Sequence, residues 1–322
     1  MVCRAKSCFK DELLKYNDLQ LAVGIKSDSY ARQINYFDDF ILSENINEIK
    51  LTEEMCNRWI KPREFEGQFT KYIRINWSIG FLQYLKTRGY DVFIPKRPKH
   101  VSSQFKAYIY SEREVEKYFL HIDSYFSVKD PFVALYLPVV FRILYCCGTR
   151  IGETLSMRVK DVDIDNGILY LNETKNQKKR AVPVSKDLKL LLQAYSSKCI
   201  YLKTENDFFF SHKDNKRVSE QSIYHFHRKA LEDSHIPYKG NGEGPRLHDW
   251  RHTFCVKSLS LFEKEGSDLY NVLPILKQYV GHSSIRSTEQ YLQLTFSHFD
   301  EIMDKTKEIT DSITGDNHHE DK

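Results

Sequence analysis

Four short clusters carry residue types able to manage an anionic centre. The first is Gly148-Thr149-Arg150-Ile151-Gly152-Glu153. An Arg beside glycines at an element junction can present a planar fork to a phosphate. Taken alone, it reads more readily as a surface Arg paired with Glu153. The second is the basic turn Lys175-Asn176-Gln177-Lys178-Lys179-Arg180, which alone could serve only solubility. The third is His248-Asp249-Trp250-Arg251-His252. On a helix His248 and Arg251 share a face, and a proton-transfer group beside a fixed cation suits a phosphoryl centre. His248 and His252 also stand i and i+4, as in a zinc-binding H-E-x-x-H, but Asp249 is the wrong acid. A helix-capping His is the plain alternative. The fourth is Gly281-His282 followed by Ser287-Thr288-Glu289-Gln290-Tyr291. Ser287 and Gln290 predict a capping box that sets Tyr291 in a first helical turn, where backbone N–H groups attract anions.

The elements that must hold these clusters are mostly helices. Tyr30, Ile34, Phe37 and Ile41 recur at helical spacing. A second helix is predicted from about 69 to 88, with Ile73, Trp77 and Phe81 as its stripe and Gly89 as its stop. Residues 95–106, PKRPKHVSSQFK, hold two prolines, two serines and five basic side chains counting His100. They cannot build a core and are read as a linker. The expected division is a helical domain over 1–104 and a second domain over 105–322.

Ser111 and Glu114 then predict a capping box. Helices are expected at 111–125, 132–147, 150–158, 186–196, 219–233, 248–262, 271–280 and 287–294. Residues 167–185 alternate about a polar turn, as a β-hairpin does. Residues 299–313, FDEIMDKTKEITDSI, have amphipathic helical spacing, and GDNHHEDK is expected to be disordered. The fold class is therefore mostly α with a small β-sheet or hairpin, in two domains.

Composition agrees with a globular chain. Of 322 residues 41% are hydrophobic and 13% aromatic, enough to form real cores. With 48 Lys and Arg against 44 Asp and Glu, net charge is only +4. The charge is uneven, however. Residues 71–106 hold eight Lys or Arg against the single acid Asp91, whereas residues 301–322 carry a net −4. A locally basic surface suits nucleic acid, or is simply a solvated face. Seven cysteines without a C-x-x-C pair read as reduced thiols in a cytoplasmic protein. No signal peptide is recognised. The apolar run 132–147 contains Pro138 and Arg142 and is too short for a membrane span.

Taken together and in order, GTRIGETL, TKNQKKRAVPV, HDWRHTF and VGHSSIRSTEQYLQL resemble the tyrosine recombinases, the phage integrase family of DNA strand-transfer enzymes. The resemblance covers roughly residues 107–295. It implies that Arg150 and Arg251 clamp the scissile phosphate, and that His248 and His282 complete its shell. It further implies Lys175 as general acid for the departing 5′-hydroxyl and Tyr291 as nucleophile, forming a 3′-phosphotyrosyl link. Glu153 occupies the place of a supporting acid. Trp250 and Cys255 are unusual fillers of the HDWRHTF box.

The resemblance also implies a core-binding domain before the catalytic one, the two forming a clamp on double-stranded DNA. Phosphate contacts are expected from Lys71, Arg74, Lys86, Arg88, Lys96, Arg97 and Lys99. No arm-binding domain is expected upstream, as in simple Xer-like or transposon-type enzymes. Recombination of two duplexes implies a tetramer on paired sites, with helix 299–313 docked in a neighbouring protomer. No cofactor, metal or ATP is expected. Alternatives are a type IB-like topoisomerase, a silent DNA-binding regulator of the same fold, and more remotely a zinc hydrolase on His248, His252 and His282.

Overall fold

The computed structural model describes residues 4–25, 28–101, 107–125, 131–172, 179–201, 203–212, 214–238, 244–282, 288–289 and 291–292. The chain separates into two compact units, 1–105 and 106–322.

The first unit holds α1 (Lys10–Ala22), α2 (Asp28–Ser43), α3 (Glu53–Trp59) and α4 (Gln68–Thr87). Its core is aromatic. Phe37 meets Phe9, Trp59, Trp77 and Phe81 edge-on at 5.1–6.0 Å between ring centres, the geometry that ring quadrupoles favour. Helices α1 and α3 were not predicted individually. The signal for α3 is Thr52, whose hydroxyl accepts the Met55 N–H, ahead of Glu53 and Glu54 in the first turn. Helix α4 ends where expected, with Gly89 at φ +87°.

Two expectations on α4 are corrected. Ile73 is exposed rather than part of the buried stripe with Trp77 and Phe81. The buried arc turns instead through Arg74, Ile75, Trp77 and Ser78. Arg74 is therefore not a phosphate contact. Its side chain is 1% exposed and paired with Glu66 at 2.6 Å. It also donates to the Trp59 and Lys61 carbonyls and stacks on the Trp59 ring. A buried Arg with so many partners is committed to the fold.

The second unit holds α5 (Glu112–Ser124), α6 (Pro131–Cys147), α7 (Ile151–Ser156), β1 (Val162–Asp163), β2 (Ile168–Leu171), β3 (Arg180–Pro183), α8 (Lys186–Cys199), α9 (Glu220–Asp233), α10 (Asp249–Lys264) and α11 (Leu269–Val280). The capping box of Ser111 and Glu114 is present. The sheet is antiparallel in the order β1-β2-β3, and its register sets Leu171 opposite Arg180. The hairpin arms lie within the predicted span, while β1 is an addition. Apolar α6 packs against α5, α7, α8 and α10, so it is buried nearly all round. That explains why its sequence is apolar apart from Arg142, which pairs with Asp123. Among the described residues no helix is long and apolar enough to cross a membrane. The 299–313 helix, the Ser287–Gln290 box and Lys175 lie outside the described residues.

A candidate phosphate-binding and strand-transfer site

Four helix ends and one strand converge in the second unit. Arg150 is the N-cap of α7, and α7's Glu153 reaches back to it. Glu153 accepts from Arg150 at 2.6 Å and from Arg180, at the start of β3, at 2.7 Å. Its burial would raise the carboxyl pKa, but the two guanidinium groups outweigh that and lower it. Arg150 thus pairs with Glu153, as its cluster alone suggested, yet remains 22% exposed. It opens onto a cleft of ≈ 840 Å³ that Glu153, Arg217, Arg246 and His248 also line.

Arg251 lies deeper, at 1% exposure. Its fork donates to the carbonyls of Gly148 (2.7 Å) and Val280 (2.6 Å). It therefore joins the end of α6 to the end of α11. Its buried Nε–H has no hydrogen-bond partner among the described residues, a donor that an anion could satisfy. Gly148 must be glycine here. Its φ is +58°, and a Cβ would stand 2.4 Å from the Phe254 ring. Gly281 caps α11 at φ +71° and offers its carbonyl to Arg150 at 3.4 Å.

His248 stands at the N-cap position of α10, where its side chain makes no capping hydrogen bond, and it lines the cleft. Partial desolvation, with Arg251, Arg150 and Arg246 nearby, pushes its pKa down to about 4. His282 Nδ1 lies 3.0 Å from Thr288 Oγ1. Desolvation and the same arginine pair push it to about 3. Tyr291 is fully buried, its ring 5.8 Å from His282 and nearly parallel to it. Arg150, Glu153, His248, Arg251, His282 and Tyr291 therefore belong to one neighbourhood.

Two members were missed as functional candidates. Arg180 was seen only as part of a basic turn, and the Leu171–Arg180 register is what brings it to Glu153. His252 was weighed only as a zinc ligand. Among the described residues no three His, Cys, Asp or Glu side chains are grouped so as to hold a metal ion.

The buried imidazoles make a stability prediction. His227, His252 and His282 are each pushed to about 3 in the folded protein, chiefly by desolvation. An unfolded His titrates near ~6.5, so the unfolded chain binds more protons below that pH. Their stabilising contribution is present above ~6.5 and lost as pH falls toward ~3. Buried Asp249 works the other way, since desolvation lifts it to about 6, but it is one group against three. Stability, and with it the melting temperature, should therefore fall steadily as pH drops from ~6.5 to ~4. A flat profile over that range contradicts neutral buried imidazoles.

A four-helix unit precedes this unit of α-helices and one small sheet, in which Arg150 and His248 line an open cleft and Arg251, His282 and Tyr291 lie close by. The model of the phage integrase family matches residues 113–298, and the chain belongs to that family, the tyrosine recombinases, enzymes that break and rejoin DNA strands. A putative integrase/recombinase of Sinorhizobium fredii is 23% identical over 302 residues, covering 89% of this chain and 93% of the relative. The tyrosine recombinase XerC of Thermodesulfovibrio yellowstonii is 22% identical, covering 91% and 95%. The fold is similar to that of the XerH site-specific recombinase bound to palindromic difH substrate in a post-cleavage complex. There the TM-score is 0.64 at 19% identity, covering 92% of this chain and 84% of that one.

Proposed function

We propose that this chain is a site-specific recombinase of double-stranded DNA that works through a covalent link at Tyr291. The single observation that carries the reading is the convergence of Arg150 and Arg251 beside Tyr291. A phosphodiester resists attack because it is anionic. Two guanidiniums can neutralise the charge that grows on its oxygens during attack. Glu153 holds the Arg150 and Arg180 forks in place, and the Gly148 and Val280 carbonyls do so for Arg251.

In this reading Tyr291 Oη attacks phosphorus, and the bond to the 5′-oxygen breaks. The phenolic proton passes toward neutral His248, and Lys175 gives a proton to the departing 5′-oxygen. The phosphodiester energy is kept in the 3′-phosphotyrosyl bond, so the reverse attack by a 5′-hydroxyl rejoins strands without ATP. His282, hydrogen-bonded to Thr288, completes the phosphate shell. A phenol has a pKa near ~10 and needs such surroundings to react at neutral pH.

The first unit acts as a core-binding domain on the same duplex. Lys71, Lys86, Arg88, Lys96, Arg97 and Lys99 are its proposed phosphate contacts. All except Lys71 are largely exposed, and Arg88 is shared with Glu12 at 3.4 Å. Exchange between two duplexes needs four cleavages, hence four protomers on paired sites, with the enzyme working in the cytoplasm. The similarity to a XerC recombinase favours an Xer-like task.

The test is adduct capture. A randomised duplex pool is incubated with the protein in excess EDTA, and covalently held DNA is recovered under denaturing conditions. The expected result is an adduct that EDTA does not reduce, with DNA attached at Tyr291 in the mapped peptide. Adduct that needs added zinc or magnesium, or attachment elsewhere, contradicts the proposal.

A further inference from the structure

Helix α10 presents His248, Arg251, His252 and Cys255 at i, i+3, i+4 and i+7, one continuous face. The first two belong to the phosphate cradle. The next two belong to the tyrosine. The His252 ring centre lies 4.9 Å from that of His248 and 5.5 Å from that of Tyr291. His282 also stands against Tyr291, its ring centre 5.8 Å away and nearly parallel, so two imidazoles contact the phenol ring. Cys255 and Tyr291 are both fully buried in the same cluster of α10 and α11 side chains.

We propose that His252 is a positioning residue for the nucleophile: with His282 it forms a two-ring slot for Tyr291, and its place one turn after His248 ties that slot to the phosphate cradle. The proposal rests on Tyr291 being the attacking group. His252 is suited to this by being 6% exposed. Desolvation, followed by His248, Arg246, Arg251 and His282, pushes its pKa to about 3. It is therefore a neutral ring at working pH, and adds no charge where arginines already crowd. Asp249 Oδ1, 4.0 Å from its Nε2, is the nearby acid.

The back of α10 explains why the slot is held firmly. Trp250 stacks on Tyr110 with ring centres 4.0 Å apart, and Thr253 Oγ1 accepts the Tyr110 N–H at 3.1 Å. The face opposite His252 is thus fastened to the segment that enters this unit. A ring on so fixed a helix sets where Tyr291 lies, and displacing a reacting group by ~1 Å costs on the order of 10²-fold in rate.

The experiment compares His252→Leu and His252→Phe with the full-length wild type. The probe is a nicked suicide duplex built on the sequence recovered from the randomised pool. DNA affinity is measured by gel shift, and single-turnover adduct formation on denaturing gels. His252→Leu should bind within about twofold of wild type but form adduct ~10- to 100-fold more slowly. His252→Phe keeps a ring in the slot and should recover to within about threefold.

A second substrate carries sulfur in place of the bridging 5′-oxygen, so its leaving group needs no protonation. The Leu defect should persist on it, because attack and not departure is impaired. Full rescue by sulfur would assign His252 to the leaving group and overturn the proposal. So would a Phe variant that folds and binds but stays as slow as Leu, or a Leu variant that cleaves at the wild-type rate. Equal losses of binding and cleavage in both variants would show a merely structural ring and also overturn it. Tyr291→Phe separates the two readings. Adduct that survives in it removes the nucleophile assignment itself, whereas adduct lost in it but indifferent to His252 removes only the slot.

Discussion

Tyr291→Phe should bind DNA as the wild type does and form no covalent adduct. The substitution deletes one oxygen and nothing else. The Tyr291 ring is fully buried beside His282 and His252. A Phe ring fills that place with the same outline, and isosteric changes in a packed cluster usually cost less than ~1.5 kcal/mol. The protein should therefore fold, and its melting temperature should move only slightly. In this reading Tyr291 alone supplies the attacking oxygen. Denaturing gels of the trapped complex read the outcome directly, and any adduct above background shows that another residue attacks.

Arg251→Lys should be nearly as damaging although it keeps the charge. The Arg251 fork grips the Gly148 and Val280 carbonyls at once, leaving its Nε–H for a ligand. A lysine ammonium is a single point on a flexible stem and cannot span both carbonyls while facing a phosphate. Losing one preorganised donor to a transition-state oxyanion costs on the order of 10²–10³ in rate. A buried carbonyl left without its donor costs a further ~1–3 kcal/mol of stability. Strand cleavage should thus drop by two to three orders of magnitude by that measure, with a lower melting temperature. A variant that cleaves within tenfold of wild type would mean that charge alone, without the fork, is what the site requires.

Much of the site was legible before any coordinates. Arg150, Glu153, His248, Arg251, His282 and Tyr291 are marked by residue type, local spacing and order along the chain. The helix ends that carry them obey local rules: Ser111 with Glu114 starts α5, and Gly281 ends α11 in the left-handed region. Such signals survive in sequence because they act over three or four residues. The linker expected at 95–106 falls partly outside the described residues, and its Pro95 is buried rather than solvated.

Arg74 and Ile73 mark where local reading stops. A helix with Lys71, Arg74, Lys86 and Arg88 looks basic on any wheel. Only packing against Trp59 and Glu66 reveals that Arg74 is sealed inside and that Ile73 faces out. Arg180 is similar. Its sequence neighbours are a solvated turn, yet the β2–β3 register carries it to Glu153, 27 residues away. His252 is the fullest case. Its sequence offers a failed zinc motif, whereas its function depends on a tyrosine 39 positions later arriving beside it. Sequence by itself determined the helical periods, the caps, the two-part division and the identity of the chemical groups, because each follows from short-range sterics and side-chain chemistry. Only the tertiary structure decided which cations stay open to a ligand and which are spent on the fold. Burial and pairing are set by residues distant in the chain, and no local pattern records them.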